Sequence, residues 1–440
     1  MSFVEPVFLA FLALVVPLTF LMPSRRTQNG LLLGASCVFY GWVHPWFLAL
    51  LAFSTLLDFA CGLAMRGGPS KRWLMVSVVG NLGLLGLFKY LDWLLDMVGQ
   101  NPVGLLLPVG ISFFTFQTMS TTFDVYRGKL KPCESLLDYA TFVSLFPQLV
   151  AGPIERARNL LPQLQRRRGF DLERTADGAG LALWGAFKKL VIADTVAVYV
   201  DAAFAMPDAS APMVWAATLG FAVQILADFS GYTDIARGTA RMVGLELMEN
   251  FRSPYLARSP RDFWQRWHIS LSTWFHEYVY IPLGGNKVLI AAFASLALSG
   301  LWHGASWHFV LWGAYHGVLL LAWRAVGPKN PGPAWTPVMF GFTLFGWLVF
   351  REPDLVSLWT HLQAPSGDWD RWIHASVTAT LAVGGGALLF FGERLRRRVR
   401  GLTLPEWVLW PARSVVFTCT GMVLWLFAAG QAQDFIYFQF

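Results

Sequence analysis

Apolar stretches of membrane-crossing length recur along this chain, and short basic clusters separate them. A hydrocarbon layer about 30 Å thick is crossed by roughly 20 apolar residues in a helix. Backbone polar groups in lipid are satisfied only inside helices or closed barrels. Runs such as Val7 to Met22 and Val288 to Leu301, in a chain 55% hydrophobic and 14% charged, therefore predict an all-α polytopic membrane protein. Because the runs are spread over the whole length, residues 1–440 are expected to form a single integral-membrane domain rather than a soluble domain with an anchor.

The formal net charge of +7 raises nucleic acid or an anionic surface as a partner. The basic residues, however, sit between apolar runs: Arg25/Arg26, Arg66/Lys71/Arg72, Arg127/Lys129/Lys131, Arg156 to Arg168 and Arg394 to Arg400. The positive-inside rule explains them as cytoplasmic loops beside a lipid bilayer, with no nucleic acid involved. Alternating crossings keep every cluster on that side if the N-terminus lies outside. Val7 to Met22 lacks a basic n-region and a cleavage pattern, so it is expected to remain as a span. Cys37, Cys61, Cys133 and Cys419 form no CxxC pair and read as small hydrophobes.

Some stretches are too polar or too broken to face lipid. LPVGISFFTFQTMSTTFDVYRG from Leu107 carries Gln117, Thr118, Ser120 and Asp124 and must be packed in protein. Phe142 to Pro153 is short, is interrupted by Pro147 and is predicted to be re-entrant. Leu181 to Val200 and Met213 to Gln224 read as spans, the second leading into Asp228, Ser230, Tyr232, Thr233 and Asp234. Buried carboxylates need a cationic partner or donors. Asp228 and Asp234 are expected to have structural roles beside the site, one of them paired with Arg237 or accepting hydrogen bonds from a broken helix. Later spans are expected at Thr336 to Phe350, Ala375 to Gly392 and Ala412 to Gly430, with a polar loop from Arg351 to Arg371.

Two histidines stand out. Ser259-Pro260-Arg261-Asp262 supplies an N-cap, a first-turn proline and an early carboxylate. The aromatic periodicity that follows predicts one amphipathic helix at the interface, ending at Pro282-Leu283-Gly284-Gly285, with His268, Ser272 and His276 in an i, i+4, i+8 row. His303 lies inside the apolar run ending in Trp302-His303-Gly304. Apolar surroundings favour neutral imidazole, the form that accepts a proton, and this makes both histidines candidate bases. A metal site is not expected: His308 and His316 lie five and thirteen residues beyond His303 and point in different directions on a helix, and no HExxH is present. His44, His361 and His374 fall in loops or at span ends and are expected to be solvated.

An ordered set of stretches carries a family resemblance. LPVGISFFTFQ from Leu107, FPQLVAGPI from Phe146, DFSGYTDIARG from Asp228, ENFRSPYLARSPRDFWQRWHISLSTW from Glu249, YIPLGG from Tyr280, GLWHGASWHFVLWGAYHG from Gly300 and FIYFQF from Phe435 resemble the membrane-bound O-acyltransferase family. Within it, the nearer match is the bacterial branch of alginate O-acetylation and D-alanyl transfer to teichoic acid, the alginate type first. The resemblance implies a bundle of about eleven transmembrane helices, with re-entrant and interfacial helices around a central tunnel. Relatives commonly carry Arg-Asp where this chain has His276-Glu277.

What the resemblance implies for function is transfer of an acyl group, expected to be acetyl, from a cytoplasmic thioester to a hydroxyl of an exopolysaccharide or periplasmic partner. The donor would be acetyl-CoA or an acyl carrier protein, with no tightly bound cofactor. His303 matches the essential histidine of the WHG motif and is expected to be the general base; His268 is the second signature histidine, either catalytic or scaffolding. Trp302, Trp267, Ser272, Gln117, Asp228, Tyr232 and Asp234 are the expected tunnel-lining or substrate-binding residues. Direct transfer is favoured over an acyl-enzyme at Ser306 or Ser272, since no GxSxG elbow is present and both serines lie in helical sequence where hydroxyls bond backward to the chain. The expected place is the bacterial inner membrane. D-alanyl transfer to a cell-wall polymer is the alternative, and a proton- or substrate-conducting transporter is the alternative of another class.

Overall fold

The computed structural model describes residues 1–149, 152–365, 368–400, 406–428 and 435. Val150 and Ala151 of the FPQLVAGPI stretch, the last two residues of the Ala412 to Gly430 run, and Ile436 to Phe440 lie outside the described residues. The described chain is helical throughout. Among the described residues five helices are long and apolar enough to cross a membrane: Phe47–Ala64, Lys71–Met97, Ala211–Met242, Trp307–Val326 and Trp369–Arg396. Pro6–Leu21 and Leu289–His303 are shorter apolar helices. The first begins one residue before the expected Val7 to Met22 run, with proline in its first turn, where a missing N–H leaves no helical bond unmade.

The chain forms two compact units. The first comprises residues 1–182, 235–250 and 268–291. Its centre is the helix Ile111–Tyr126, which starts at Gly110 in the left-handed region (φ 77°) and is buried on nearly all sides. The polar residues that exclude lipid contact are satisfied inside protein. Ser54 and Asp58 from Phe47–Ala64, Ser77 and Asn81 from Lys71–Leu85, and Thr118 and Thr122 make one hydrogen-bonded network in which Asp58 accepts from Ser77, Asn81 and Thr122. Gln117 donates to the carbonyl of Phe142 at 2.8 Å. That bond reaches the predicted re-entrant stretch Phe142 to Pro153, whose described part comprises the end of the helix Leu136–Ser144, a break at Leu145 (φ −51°, ψ 112°) and a short helix Phe146–Leu149. The break falls two residues before Pro147, which sits in the first turn of the new helix. Ser36 accepts the freed N–H of Phe146 at 3.0 Å.

The second unit comprises residues 183–234, 251–267 and 292–440. The helix Ala211–Met242, whose first part lies in this unit, runs unbroken through the polar stretch from Asp228 to Asp234. Trp307–Val326 and Trp335–Arg351 pack together. The expected loop from Arg351 to Arg371 contains a helix of its own, Leu355–Gln363, capped by Asp354. His361 on that helix is buried and lies 3.2 Å from the carbonyl of Pro207, so it is not solvated as expected: a polar stretch read as loop is packed against the end of another helix. His374 is half-buried and 3.0 Å from the carbonyl of Tyr199.

Candidate active site

The signature segment begins as its sequence dictates. Ser259 accepts from the backbone N–H of Asp262 at 3.1 Å, and Pro260 occupies the first turn. The helix then lasts only from Pro260 to Trp264, and a second one runs from Ile269 to Phe275. The expected single amphipathic helix is therefore two helices, and His268, the head of the expected His268, Ser272, His276 row, stands at the break before the second of them. The reason is local. His268 takes the left-handed conformation (φ 41°, ψ 54°), rare for a residue with a side chain, and turns the chain at the start of the second helix.

Asn250 stabilises this turn. Its carbonyl accepts from the N–H of Ile269 and its side-chain oxygen from the N–H of Ser270, both at 3.0 Å, supplying partners to amides that a helix start leaves free. The same oxygen lies 3.2 Å from Nδ1 of His268. The imidazole is fully buried, and burial pushes its pKa down to about 3, so it is neutral at physiological pH. Ser272 is half-buried with its N–H on the carbonyl of His268, and His276 is exposed. Trp267, in the other unit, is buried with its ring 4.7 Å from Trp347 and stacked on Phe263.

After Phe275 the first unit carries a π-helical turn, His276–Tyr280, a distortion often found at functional sites. Glu277 takes two contacts from one nitrogen of Arg158, at 2.8 and 3.0 Å, and its backbone carbonyl accepts from Arg127 at 2.9 Å. Arg158 holds the Glu277 carboxyl below the usual range against the opposing effect of burial. Tyr278 donates to Asp124 at 2.9 Å, and the guanidinium groups of Arg127 and Arg156 both lie on its ring, 5.3 and 5.1 Å from the centroid. The His276-Glu277 departure thus has a definite partner in Arg158. Glu155 and Arg156, beside it in sequence, are both buried. Burial pushes the Glu155 carboxyl up to about 7 although it accepts from the N–H of Met248.

His303 is the last residue of the helix Leu289–His303 and is buried. Its ring meets Trp302 at 5.1 Å, Trp312 at 5.1 Å and Phe350 at 5.4 Å, in each case edge to face. Two glycines permit the hairpin that sets this position. A Cβ on Gly300 would stand 2.1 Å from the carbonyl oxygen of Phe309, and one on Gly313 would stand 2.3 Å from that of Leu296. Ser306 is the residue before the next helix, and its hydroxyl lies 2.8 Å from Nδ1 of His308. It does not bond backward along a helix as expected.

Asp228, Tyr232 and Asp234 are buried on one helix. Their cations come from a second π-helical turn, Lys188–Ala193. Lys189 bridges Asp228 at 2.9 Å and Asp194 at 2.8 Å, and lies 5.7 Å from the ring of Tyr232. Lys188 meets Asp234 at 2.6 Å and Ser230 at 2.9 Å. Two lysines thus supply cationic partners to these buried carboxylates. Both fall within the apolar run Leu181 to Val200, where two adjacent ammonium groups are themselves a signal of internal pairing.

Several membrane-length apolar helices among the described residues, with a buried histidine enclosed by aromatic rings, define a multi-pass membrane protein. Residues 130–329 match the model of MBOAT, the membrane-bound O-acyltransferase family. The chain is 38% identical over 424 residues to a probable alginate O-acetylase of Pseudomonas putida, covering 87% of this chain and 86% of that protein. It is 35% identical over 375 residues to the peptidoglycan O-acetyltransferase of Helicobacter pylori, covering 73% and 71%. Identity to the teichoic acid D-alanyltransferase of Bacillus subtilis is 28% over 279 residues, covering 57% and 70%. The chain belongs to the membrane-bound O-acyltransferase family and is an O-acyltransferase, so the transporter reading falls away.

Proposed function

We propose that this chain passes an acetyl group from a cytoplasmic thioester across the bacterial inner membrane to a hydroxyl of an exopolysaccharide or a periplasmic partner, with His303 as the general base. In this reading about eleven spans enclose a tunnel between the two faces, and the N-terminus lies outside. The observation that carries the role of His303 is its buried place among Trp302, Trp312 and Phe350 at the end of an apolar helix. Water excluded by such rings cannot compete with the acceptor for the thioester. The alcohol O–H gives its proton to the imidazole as its oxygen attacks the carbonyl carbon. The carbon–sulfur bond then breaks, and the imidazolium returns the proton to the departing thiolate. A base so placed contributes about 10² to 10⁴ in rate. Likeness to the alginate and peptidoglycan O-acetylating proteins supports acetyl and a glycan hydroxyl.

The test is transfer of labelled acetyl from acetyl-CoA by the purified protein, with His303→Ala alongside. Near-normal transfer by a folded His303→Ala variant removes the base assignment, and transfer of D-alanine instead of acetyl selects the other branch of the family. One observation favours a covalent second reading: the Ser306 hydroxyl on His308 has the spacing of an activated nucleophile and its base. Acyl-protein trapped after donor addition and lost in Ser306→Ala would establish that route.

A further inference from the structure

Arg156 is a buried cation that, among the described residues, meets its neighbouring carboxylates only at longer range and not through its terminal nitrogens. It is 2% exposed, and among the described residues neither of its terminal guanidinium nitrogens has a hydrogen-bond partner. The carboxylates near it are engaged elsewhere. Both oxygens of Glu277 face Arg158; Asp124 takes the Tyr278 hydroxyl and lies 3.8 Å from Arg158; Glu155 accepts from the backbone of Met248. Arg127 shares the Tyr278 ring with Arg156. Arg156 is also the N-cap of the helix Ala157–Leu164, whose start has no side-chain cap, so its first amides and the positive end of its dipole add to the same charge. Burial of a guanidinium without a hydrogen-bonded anion is unfavourable, and an arriving anion with several oxygens would complete it.

The position suits an entering ligand. Arg158 is one-third exposed while Arg156 is buried, so the cationic surface runs from solvent inward. Arg127 and Arg156 to Arg168 belong to clusters that the positive-inside rule puts on the cytoplasmic side. Resting on the proposal of a cytoplasmic thioester donor, we propose that Arg156, flanked by Arg127 and Arg158, binds the 4′-phosphate of the donor's pantetheine arm. That group is common to coenzyme A and to the prosthetic group of a carrier protein. Glu277 holds Arg158 in place as a positioning residue.

The experiment measures binding of coenzyme A, 4′-phosphopantetheine, pantetheine and inorganic phosphate to the full chain in nanodiscs of zwitterionic lipid. The wild type is expected to prefer 4′-phosphopantetheine to pantetheine by at least about tenfold, the worth of a charge-assisted hydrogen bond or two. Arg156→Gln should bring that ratio close to one while leaving pantetheine binding unchanged, Arg156→Lys should keep part of it, and Arg127→Gln should lower it less. The Lys and Arg127 variants preserve the test if Arg156→Gln fails to fold. Much tighter binding of coenzyme A than of 4′-phosphopantetheine identifies coenzyme A as the source, and equal binding points to a carrier. An undiminished ratio in Arg156→Gln overturns the assignment while leaving the thioester donor intact. Phosphate binding that depends on Arg156, without any binding of coenzyme A or 4′-phosphopantetheine, overturns the assigned ligand together with the donor reading.

Discussion

Asn250 fixes His268 from eighteen residues away in sequence: its side-chain oxygen lies 3.2 Å from Nδ1 of the imidazole and accepts from the N–H of Ser270 at 3.0 Å. One amide oxygen therefore serves both the ring and the start of the helix it precedes. Asn250→Ala leaves buried donors without an acceptor, and the expected loss is about 1–3 kcal/mol of stability. Thermal unfolding of the purified variant measures it, and an unchanged midpoint would show that the contact is dispensable.

The backbone at His268 gives a separate test. A left-handed residue with a side chain carries about 1–2 kcal/mol of strain, which glycine does not feel. Both His268→Ala and His268→Gly remove the ring, but the glycine variant should unfold at the higher temperature of the two. Comparing their acyl transfer then separates chemistry from scaffolding. Equal, near-normal turnover in both variants assigns His268 to the scaffold.

Lys189 is 1% exposed at its side chain and bridges two carboxylates, Asp228 and Asp194. Removing one partner from a buried ion pair costs about 3–5 kcal/mol, because the other charge stays buried. Lys189→Met should therefore reach that range, whereas Asp228→Asn should cost less, since Lys189 keeps Asp194. Lys189→Met combined with Asp228→Asn should be more stable than Lys189→Met alone. Unfolding curves of the three variants decide the order.

Much of this was legible in residue order. Polar positions at Gln117, Asp124 and Asp228 announced packing inside protein, because lipid offers them no partner, and each is buried. Ser259-Pro260 marked a helix start by its own local chemistry. What periodicity could not supply was interruption. The aromatic spacing from Phe263 to Tyr278 fits one helix, yet the chain turns at His268 because Asn250, distant in sequence, makes the turn favourable. The π-helical turns at Lys188–Ala193 and His276–Tyr280 were equally invisible, since an inserted residue leaves the apolar pattern almost unchanged. Composition places Lys188, Lys189, Arg156 and Arg158 in span or loop, and only tertiary packing reveals what they meet.

Glu155 predicts a pH dependence. Its carboxyl titrates near 7 in the folded chain, above its ordinary value of 4.5. Between those values the folded state holds a proton that the unfolded state has released, so stability is highest below 4.5, declines as pH rises and levels off above 7. The shift corresponds to something on the order of 3 kcal/mol. Glu155→Gln, neutral at every pH, should unfold with a flatter profile between pH 5 and 8 and gain on the wild type as pH rises. Parallel profiles for the two proteins would place the ionisation of Glu155 elsewhere.

Gly300 controls His303 from three residues away without touching it. A methyl group there would stand 2.1 Å from the backbone oxygen of Phe309 and 3.0 Å from the backbone nitrogen of Gly313. No side-chain rotation relieves a contact with backbone, so the helices on either side of His303 must separate. Phe309 also contacts Phe350, whose ring packs on His303, so the enclosure moves with the hairpin. A displacement of about 1 Å at a reacting group can lower rate about a hundredfold. Gly300→Ala is therefore expected to depress kcat far more than donor binding, and Gly313→Ala, which strikes the same helix contact through Leu296, should do likewise. Because one displacement underlies both, the double variant should fall little below either single one. Losses that multiply in the double variant would mean that the two glycines act independently and that the hairpin is not what positions His303.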